Sequence, residues 1–225
     1  MAGGTRTPSS RSEGAVVEGE QFARRLRELK RSGSAIFVTG KVQHDASAHH
    51  MRRALGGPGN KQILASTHPR PATLLPEAVS PHDPTVTVVS RTEHQRSAAA
   101  RASAPAEFDD DLADLREEIT DAVAAFDRRN DLQPSELRTS VDSVGRLLDE
   151  AGERAVERFV RDVSRTVTGT NGTCYYHLRR ADDSAVVREL SSLVDARIEL
   201  RQTVGGAQQR WHLPDEALTT DWVPL

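Results

Sequence analysis

The chain of 225 residues lacks several features that would narrow its class at once. It has one cysteine, Cys174, so no disulfide can form within the chain, and this favours a reducing, cytoplasmic location. No apolar run approaches 18 residues, which excludes a predicted membrane span and a membrane partner. Lysine is also scarce, because 27 of the 30 basic residues are arginine.

Charge is unevenly distributed along the chain. Residues 1–106 have a formal balance of +7, and residues 107–225 have a balance of −10. A basic side and an acidic side would favour polar association with a partner or with a second copy. The alternative is that the two halves interleave in the fold, so that the asymmetry disappears.

The sequence predicts one globular domain between two tails. Residues 1–18 are rich in small and polar side chains and predict a disordered N-terminal tail. Residues 19–214 carry the apolar periodicity of the domain, and residues 91–107 within them predict a flexible connection or a weak helix. Residues 215–225 form a C-terminal tail that we expect to fold back on the domain through its tryptophan, Trp222.

Strand and helix patterns alternate along the domain. Apolar or β-branched runs predict strands at residues 35–39, 61–67, 85–90, 137–141 and 173–178. Apolar stripes predict helices at 20–31, 46–55, 109–126, 144–148, 154–167 and 184–194. A hairpin is predicted around Gly205-Gly206. The predicted fold class is α/β, with a mostly parallel sheet, helices on both faces and a C-terminal antiparallel hairpin.

Three segments in this order resemble the RecA/KaiC-like branch of the P-loop ATPases. They are SAIFVTG at the first core strand, LRTSVDSVGRLLDE at an Asp-Ser strand end, and SSLVDARIELRQTVGGAQQRWHLP at the closing hairpin. The chain is similar to uncharacterised haloarchaeal proteins with degenerate nucleotide motifs. The resemblance implies a RecA-like three-layer fold, and by analogy a homo-oligomer.

The phosphate-binding motif of that superfamily is incomplete. A working loop has the pattern G-x-x-x-x-G-K-[ST], whose backbone N–H groups, lysine and hydroxyl hold phosphates and Mg²⁺. Here Gly40 is followed at once by Lys41, no second glycine occurs at the required spacing, and no lysine precedes Ser47. Asp45 would place a negative charge close to the phosphates. We therefore predict no catalytic residues and expect no cofactor.

A vestigial nucleotide site is the alternative that the resemblance leaves open. Its residues would be Gly40, Lys41, Ser47 and Asp142, with ATP and Mg²⁺ as the ligands and Asp142 placed to hold a metal-bound water. Asp142 has a second explanation, since with Ser143 it can cap the helix that follows.

Two other constellations favour structural interpretations. His44, Asp45, His49 and His50 are close in sequence, and with His68 they resemble a weak metal site, but a solvated helix end explains them better. Cys174 and His177 are three residues apart in a strand, so they should point to opposite faces, with the thiol in the core.

The leading functional hypothesis is a non-catalytic domain that acts through contacts with an unidentified protein, in signalling or regulation. The alternatives are a divergent nucleotide-binding protein with weak ATP hydrolysis, and a weak nucleic-acid binder. The third rests on basic residues of the first helix, including Arg24, Arg27 and Lys30, but no DNA-reading motif accompanies them, so nucleic acid is not predicted as a partner.

Overall fold

The computed structural model describes residues 10–90, 108–129, 132–142 and 144–225, with side chains at residues 19–90, 111–128, 132–142 and 144–225. Its helices are α1 (Ser10–Ser32), α2 (His44–Leu55), α3 (Phe108–Arg129), α4 (Val144–Ala151), α5 (Glu153–Thr168) and α6 (Ala185–Ser191). Its strands are β1 (Ser34–Thr39), β2 (Lys61–Ser66), β3 (Val86–Ser90), β4 (Leu137–Val141), β5 (Thr173–Leu178), β6 (Ala196–Thr203), β7 (Gly206–Leu213), β8 (Leu218–Thr219) and β9 (Val223–Pro224). Within the described ranges, no helix combines the length and apolarity needed to cross a membrane.

The strands form one sheet in the order β3-β2-β4-β5-β1-β6-β7-β8, with β9 also paired to β7. All pairs from β3 to β6 are parallel, and β6 and β7 form an antiparallel hairpin. The predicted fold class is therefore confirmed. Because parallel strands share one direction, the carboxyl ends of β1, β2, β4 and β5 meet at the same edge of the sheet.

Helices cover both faces of the sheet, which explains the continuous apolar composition of its central strands. One face packs against α3, α4, α5 and α6, in a core that includes Phe37, Ile119 and Tyr176. The other packs against α1 and α2, in two clusters that include Ile36 and Leu64. We call the first side the acidic layer, because acidic residues predominate in its helix α3. We call the second the basic layer, because basic residues predominate in α1 and α2 taken together.

Boundaries differ from the prediction mainly at the two tails. Helix α1 begins at Ser10, inside the segment predicted as a tail. Residues 91–107, predicted as a flexible connection, lie outside the described residues. At the other end β8 and β9 pair with β7, so the C-terminal tail folds back as expected. We call residues 218–225 the C-terminal strap.

Candidate functional site

A polar cleft lies where the carboxyl ends of the parallel strands meet, and we call it the carboxyl-end cleft. Its volume is about 590 Å³. Loops after four strands line it: His44 follows β1, His68 follows β2, Asp142 follows β4, and Arg179 and Arg180 follow β5. Open α/β sheets usually bind ligands at this edge. A nucleotide site formed by the four predicted residues would therefore lie in this cleft.

Gly40 ends β1 in a packed position. Its N–H donates to the carbonyl oxygen of Arg180 at 2.9 Å, and its φ is +122°. A Cβ atom built on Gly40 would lie 2.1 Å from the carbonyl oxygen of Leu200 in β6. The close approach of two backbones therefore requires glycine here, without any phosphate.

The other three predicted residues do not form one site with Gly40. Lys41 is exposed and is not part of the cleft lining. Ser47 is buried, and its Oγ lies 3.2 Å from Nδ1 of His177, so the hydroxyl faces the sheet. Of the four, Asp142 alone lines the cleft.

Asp142 is held at the floor of the carboxyl-end cleft. Its side chain is 3% exposed, and Ser66 Oγ donates to its Oδ2 at 3.3 Å. Its backbone N–H donates to the carbonyl oxygen of Ala65 at 2.8 Å, which fixes it to β2. The capping interpretation involves Ser143, which lies outside the described residues.

The walls of the cleft carry more cations than the floor carries acids. Arg180 pairs with Asp149 at 2.8 Å, and Arg146 pairs with Glu150 at 2.7 Å. Arg179 is exposed and has no ion-pair partner in the described part of the chain. The N-cap residue of α2, Gln43, makes no side-chain cap, so the first turn keeps N–H groups without that partner. These groups suit an anion.

A layer of buried polar side chains lies beneath the cleft, between α2 and the sheet. Ser47 and His50 come from α2, and His177 comes from β5, with the two imidazole rings 5.5 Å apart. His50 Nδ1 and His177 Nε2 are buried with no hydrogen-bond partner in the described structure. We call these three residues the histidine layer.

Burial sets the charge of both imidazoles. It lowers the pKa of His50 from 6.5 to about 3, with smaller contributions from Arg53 and His49. Burial also lowers the pKa of His177 well below its ordinary value, assisted by His50 and Arg179. Both rings are neutral at pH 7, because an unpaired imidazolium cannot be solvated there. Local sequence patterns do not indicate this layer, since His177 lies 130 positions from its partner Ser47.

The histidine-rich start of α2 is divided by the fold. The His44 ring stacks on the His68 ring at 5.0 Å, whereas Asp45 and His49 are exposed and His50 is buried. In the described ranges, three ligand atoms come within metal-binding reach only at another place, formed by Asp182, Glu199 and His212.

That triad is an ion-pair network rather than an open ligand set. Arg197 donates to both carboxylate oxygens of Asp182, at 2.7 and 3.1 Å. Arg210 Nε donates to Glu199 Oε2 at 2.7 Å, and His212 Nε2 lies 2.9 Å from the same oxygen. A metal ion there would have to displace guanidinium groups that already neutralise both acids.

Cys174 and His177 point to opposite faces of β5, as predicted. The thiol lies in the core of the acidic layer and His177 in the histidine layer. Burial raises the pKa of Cys174 to about 12, so the thiol is protonated at pH 7 and is not a nucleophile.

A second concave surface lies between α1, β7 and the C-terminal strap, and we call it the apolar groove. Its volume is about 430 Å³, and its apolar lining includes Phe22, Leu26, Trp211, Leu218 and Val223. The rings of Phe22 and Trp211 meet edge to face at 5.9 Å and form its floor. The sequence alone does not identify Phe22 and Leu26 as neighbours of Trp211, because the contact joins opposite ends of the chain.

Comparisons with known proteins identify a family but no activity. Residues 33–200 match a protein family described as a family of unknown function (DUF7504). No curated protein matches the chain. An uncharacterised protein from Pyrococcus horikoshii, crystallised in complex with an unknown peptide, has a similar structure, with a TM-score of 0.59 at 13% identity. The match covers 87% of this chain and 89% of that chain, and at this identity the likeness shows the fold alone.

Proposed function

We propose, since the chain belongs to a family of unknown function (DUF7504), that it is a non-catalytic RecA/KaiC-like domain acting through contacts with another protein, in signalling or regulation. The observation that carries this proposal is the apolar groove. A trough floored by two aromatic rings and left open to solvent is typical of surfaces that bind another chain.

The state of the β1–α2 loop supports the non-catalytic part of the proposal. The loop has four residues, 40–43, before α2 begins at His44. Gly40 is packed on β6, and Ser47 faces His177. The groups that would grip a triphosphate and Mg²⁺ in a P-loop are thus used for packing or are absent. The parallel sheet with its closing hairpin supports the RecA/KaiC-like architecture.

The similar protein from Pyrococcus horikoshii supports the choice of ligand. That protein was crystallised in complex with an unknown peptide, so a protein of similar structure is known with a bound peptide. We propose the same class of ligand for the apolar groove. An extended segment fits a trough of about 430 Å³ better than a folded domain does, because its side chains can enter one at a time.

The test compares two exposed valines. Val223 is 45% exposed at the rim of the groove, and Val204 is fully exposed at the tip of the β6–β7 hairpin, outside the lining. Tagged wild-type, Val223→Glu and Val204→Glu chains are used as bait in a native lysate at native salt, and captured proteins are identified by mass spectrometry. We expect wild type and Val204→Glu to capture the same protein, and Val223→Glu to lose it.

Two results would count against the proposal. Recovery of the bait alone with all three chains would show that no protein in the lysate binds this domain. Equal capture by Val223→Glu and wild type would show that the partner binds elsewhere. Circular dichroism of the variants excludes loss of folding as a cause, since both valines are at the surface.

Nucleotide binding at the carboxyl-end cleft is the second candidate. It is favoured by Arg179, which has no ion-pair partner in the described ranges, and by the uncapped start of α2. ATP with Mg²⁺ would then raise the melting temperature of the wild type, since a ligand that binds only the folded state stabilises it. The Arg179→Glu variant would lose that shift, and the Arg165→Glu variant, at an exposed position of α5, would keep it. A wild type whose melting temperature ATP does not change would remove this candidate.

A further inference from the structure

We infer that the segment bound by the apolar groove is acidic, with Asp or Glu side chains flanking its apolar anchors, and this inference rests on the proposed function. It is carried by a row of cations beside the groove that the described structure leaves without partners. The partner is a peptide segment of another protein, and its recognition combines apolar burial with pairing to arginine and lysine.

The cations lie next to the groove because of helical periodicity. Gly19, Phe22 and Leu26 line the groove at spacings of three and four residues, so they form one stripe of α1. Lys30 follows Leu26 by four residues and extends this stripe beyond the groove. Arg27 lies one residue after Leu26, about 100° around α1, where it lines a second concavity together with Arg24 and Glu20.

Ion pairing separates these cations from the rest of α1. Arg25 pairs with Asp215 at 3.0 Å and with Glu216 at 3.1 Å, and these contacts fix α1 to the segment before the strap. Arg27 and Lys30 are exposed and form no ion pair within the described ranges. The cations of α1 that stabilise the fold are therefore distinct from those available to a ligand.

The opposite rim of the groove does little to neutralise the row. Among the described residues that line the groove, Asp221 is the one carboxylate. Trp222 beside it contacts Arg201 and Arg210, but these arginines lie on the other face of the sheet, because Arg210 alternates along β7 with the groove residues Gln209 and Trp211. Beside the groove, the exposed cations Arg24, Arg27 and Lys30 outnumber the carboxylates Glu20 and Asp221, and this excess of positive charge is complementary to an acidic segment.

The mode of binding follows from the pairing of β7. Its outer edge is already occupied, at Gln208 and Gln209 by β9 and at His212 and Leu213 by β8. Between them, Thr220 N–H donates to the carbonyl oxygen of Trp211 at 2.9 Å. A bound segment therefore cannot extend the sheet at β7 by strand addition, and its specificity has to come from side chains.

The test begins with a phage-displayed library of random twelve-residue peptides, selected against the full chain. We expect the enriched peptides to combine aromatic or aliphatic residues with Asp or Glu. The most enriched peptide, labelled with fluorescein, is then the probe for binding by fluorescence anisotropy. The double variant R27E/K30E should bind it at least about 10-fold more weakly, in the range of double-mutant effects for close charge pairs.

A charge exchange and a matched control make the test specific. The same peptide with its acids replaced by lysine should recover binding to R27E/K30E, which a merely damaged fold would not do. The control is R154E/R161E, with the same change of charge at two exposed arginines of α5 on the other face of the sheet. It should bind the original peptide as the wild type does.

The outcomes distinguish this inference from the proposed function. Enriched peptides without acids, whose binding is lost in Val223→Glu but kept in R27E/K30E, would overturn the acidic ligand and leave the groove as a protein-binding site. Enrichment of no peptide would overturn both. Binding of a twenty-nucleotide single-stranded DNA probe that R27E/K30E abolishes, with no peptide bound, would assign the cations to nucleic acid and overturn the inference.

Discussion

At the scale of single residues, Gly40 shows how a motif-like glycine is retained for packing. Its position at the end of β1 invites comparison with a phosphate loop, yet its α-carbon faces the backbone of Leu200 in the neighbouring strand. The left-handed φ of +122° adds a second requirement for glycine. Both requirements exist whether or not a nucleotide binds.

Gly40→Ala should therefore destabilise the fold by at least about 3 kcal/mol, because a backbone clash adds to the cost of an unfavourable φ. Gly57→Ala is the control, since a Cβ there meets nothing within 4 Å and φ is not in the left-handed region. Urea denaturation of the three proteins gives the free energies of unfolding. Equal stability of Gly40→Ala and wild type would contradict the packing explanation.

The histidine layer predicts a dependence of stability on pH. The folded pKa of His50 is about 3 and the unfolded value is 6.5, so between them the unfolded chain binds more protons. Stability is therefore complete above pH 6.5 and decreases as pH falls. At about 1.4 kcal/mol per pH unit, His50 should account for a loss of about 2 kcal/mol at pH 5.

The His50→Leu variant should lose less stability on acidification than the wild type does, by about the same 2 kcal/mol. Free energies of unfolding in urea at pH 7.5 and pH 5.0 measure the difference. His49→Leu, on the exposed side of the same helix, is the matched control. Equal acid losses in wild type and His50→Leu would show that His50 is not held neutral by burial.

At the scale of elements, the C-terminal strap is held to the sheet by β-pairing and by one aromatic side chain. The strap contributes β8 and β9, each two residues long, which are too short to be stable by themselves. The guanidinium groups of Arg201 and Arg210 both lie against the Trp222 ring, at 4.0 and 4.5 Å from its centre. This arrangement fixes the strap as one wall of the apolar groove.

Trp222→Ala should reduce the free energy of unfolding by about 1–2 kcal/mol, the size of well-ordered cation–π contacts with the packing that accompanies them. Arg201→Ala should then cost less in the Trp222→Ala chain than in the wild type, by about 0.5–1 kcal/mol. A double-mutant cycle in urea measures the coupling. Strictly additive effects would mean that the ring and the guanidinium do not stabilise each other.

At the scale of the whole molecule, the fold separates charge by layer although the strands interleave. In the sheet, β1 from the first half of the chain lies between β5 and β6 from the second half, so the strands of the two halves interleave, as the alternative interpretation of the charge asymmetry expects. The helices remain apart. Helix α3 of the acidic layer has eight acidic and three basic residues, whereas α1 and α2 of the basic layer have five acidic and eight basic ones.

This charge separation predicts weak self-association at low salt, with the basic layer of one copy facing the acidic layer of another. Sedimentation velocity should show association that declines as the Debye length falls from about 10 Å at 0.1 M to about 3 Å at 1 M salt. Glu117→Lys, at an exposed position of α3, should weaken it more than Glu77→Lys, which lies outside the helices. Association that is insensitive to salt would contradict this explanation.

The sequence by itself determined the elements and their layering. Helix α3 follows from its apolar stripe, and β4 and β5 begin and end where their composition predicts, because local periodicity depends only on neighbours in the chain. The sequence also shows that the phosphate-binding motif is incomplete, because that motif is a contiguous stretch of residues.

Only the tertiary structure decided which distant residues meet. The contact of Ser47 with His177 spans 130 positions, and the Phe22–Trp211 floor of the apolar groove joins the first helix to the seventh strand. Strand order and register place these side chains together, and neither is encoded in local periodicity. The same order placed β7 and the C-terminal strap beside α1, and so formed the apolar groove next to the α1 cations, which no count of charge along the chain could show.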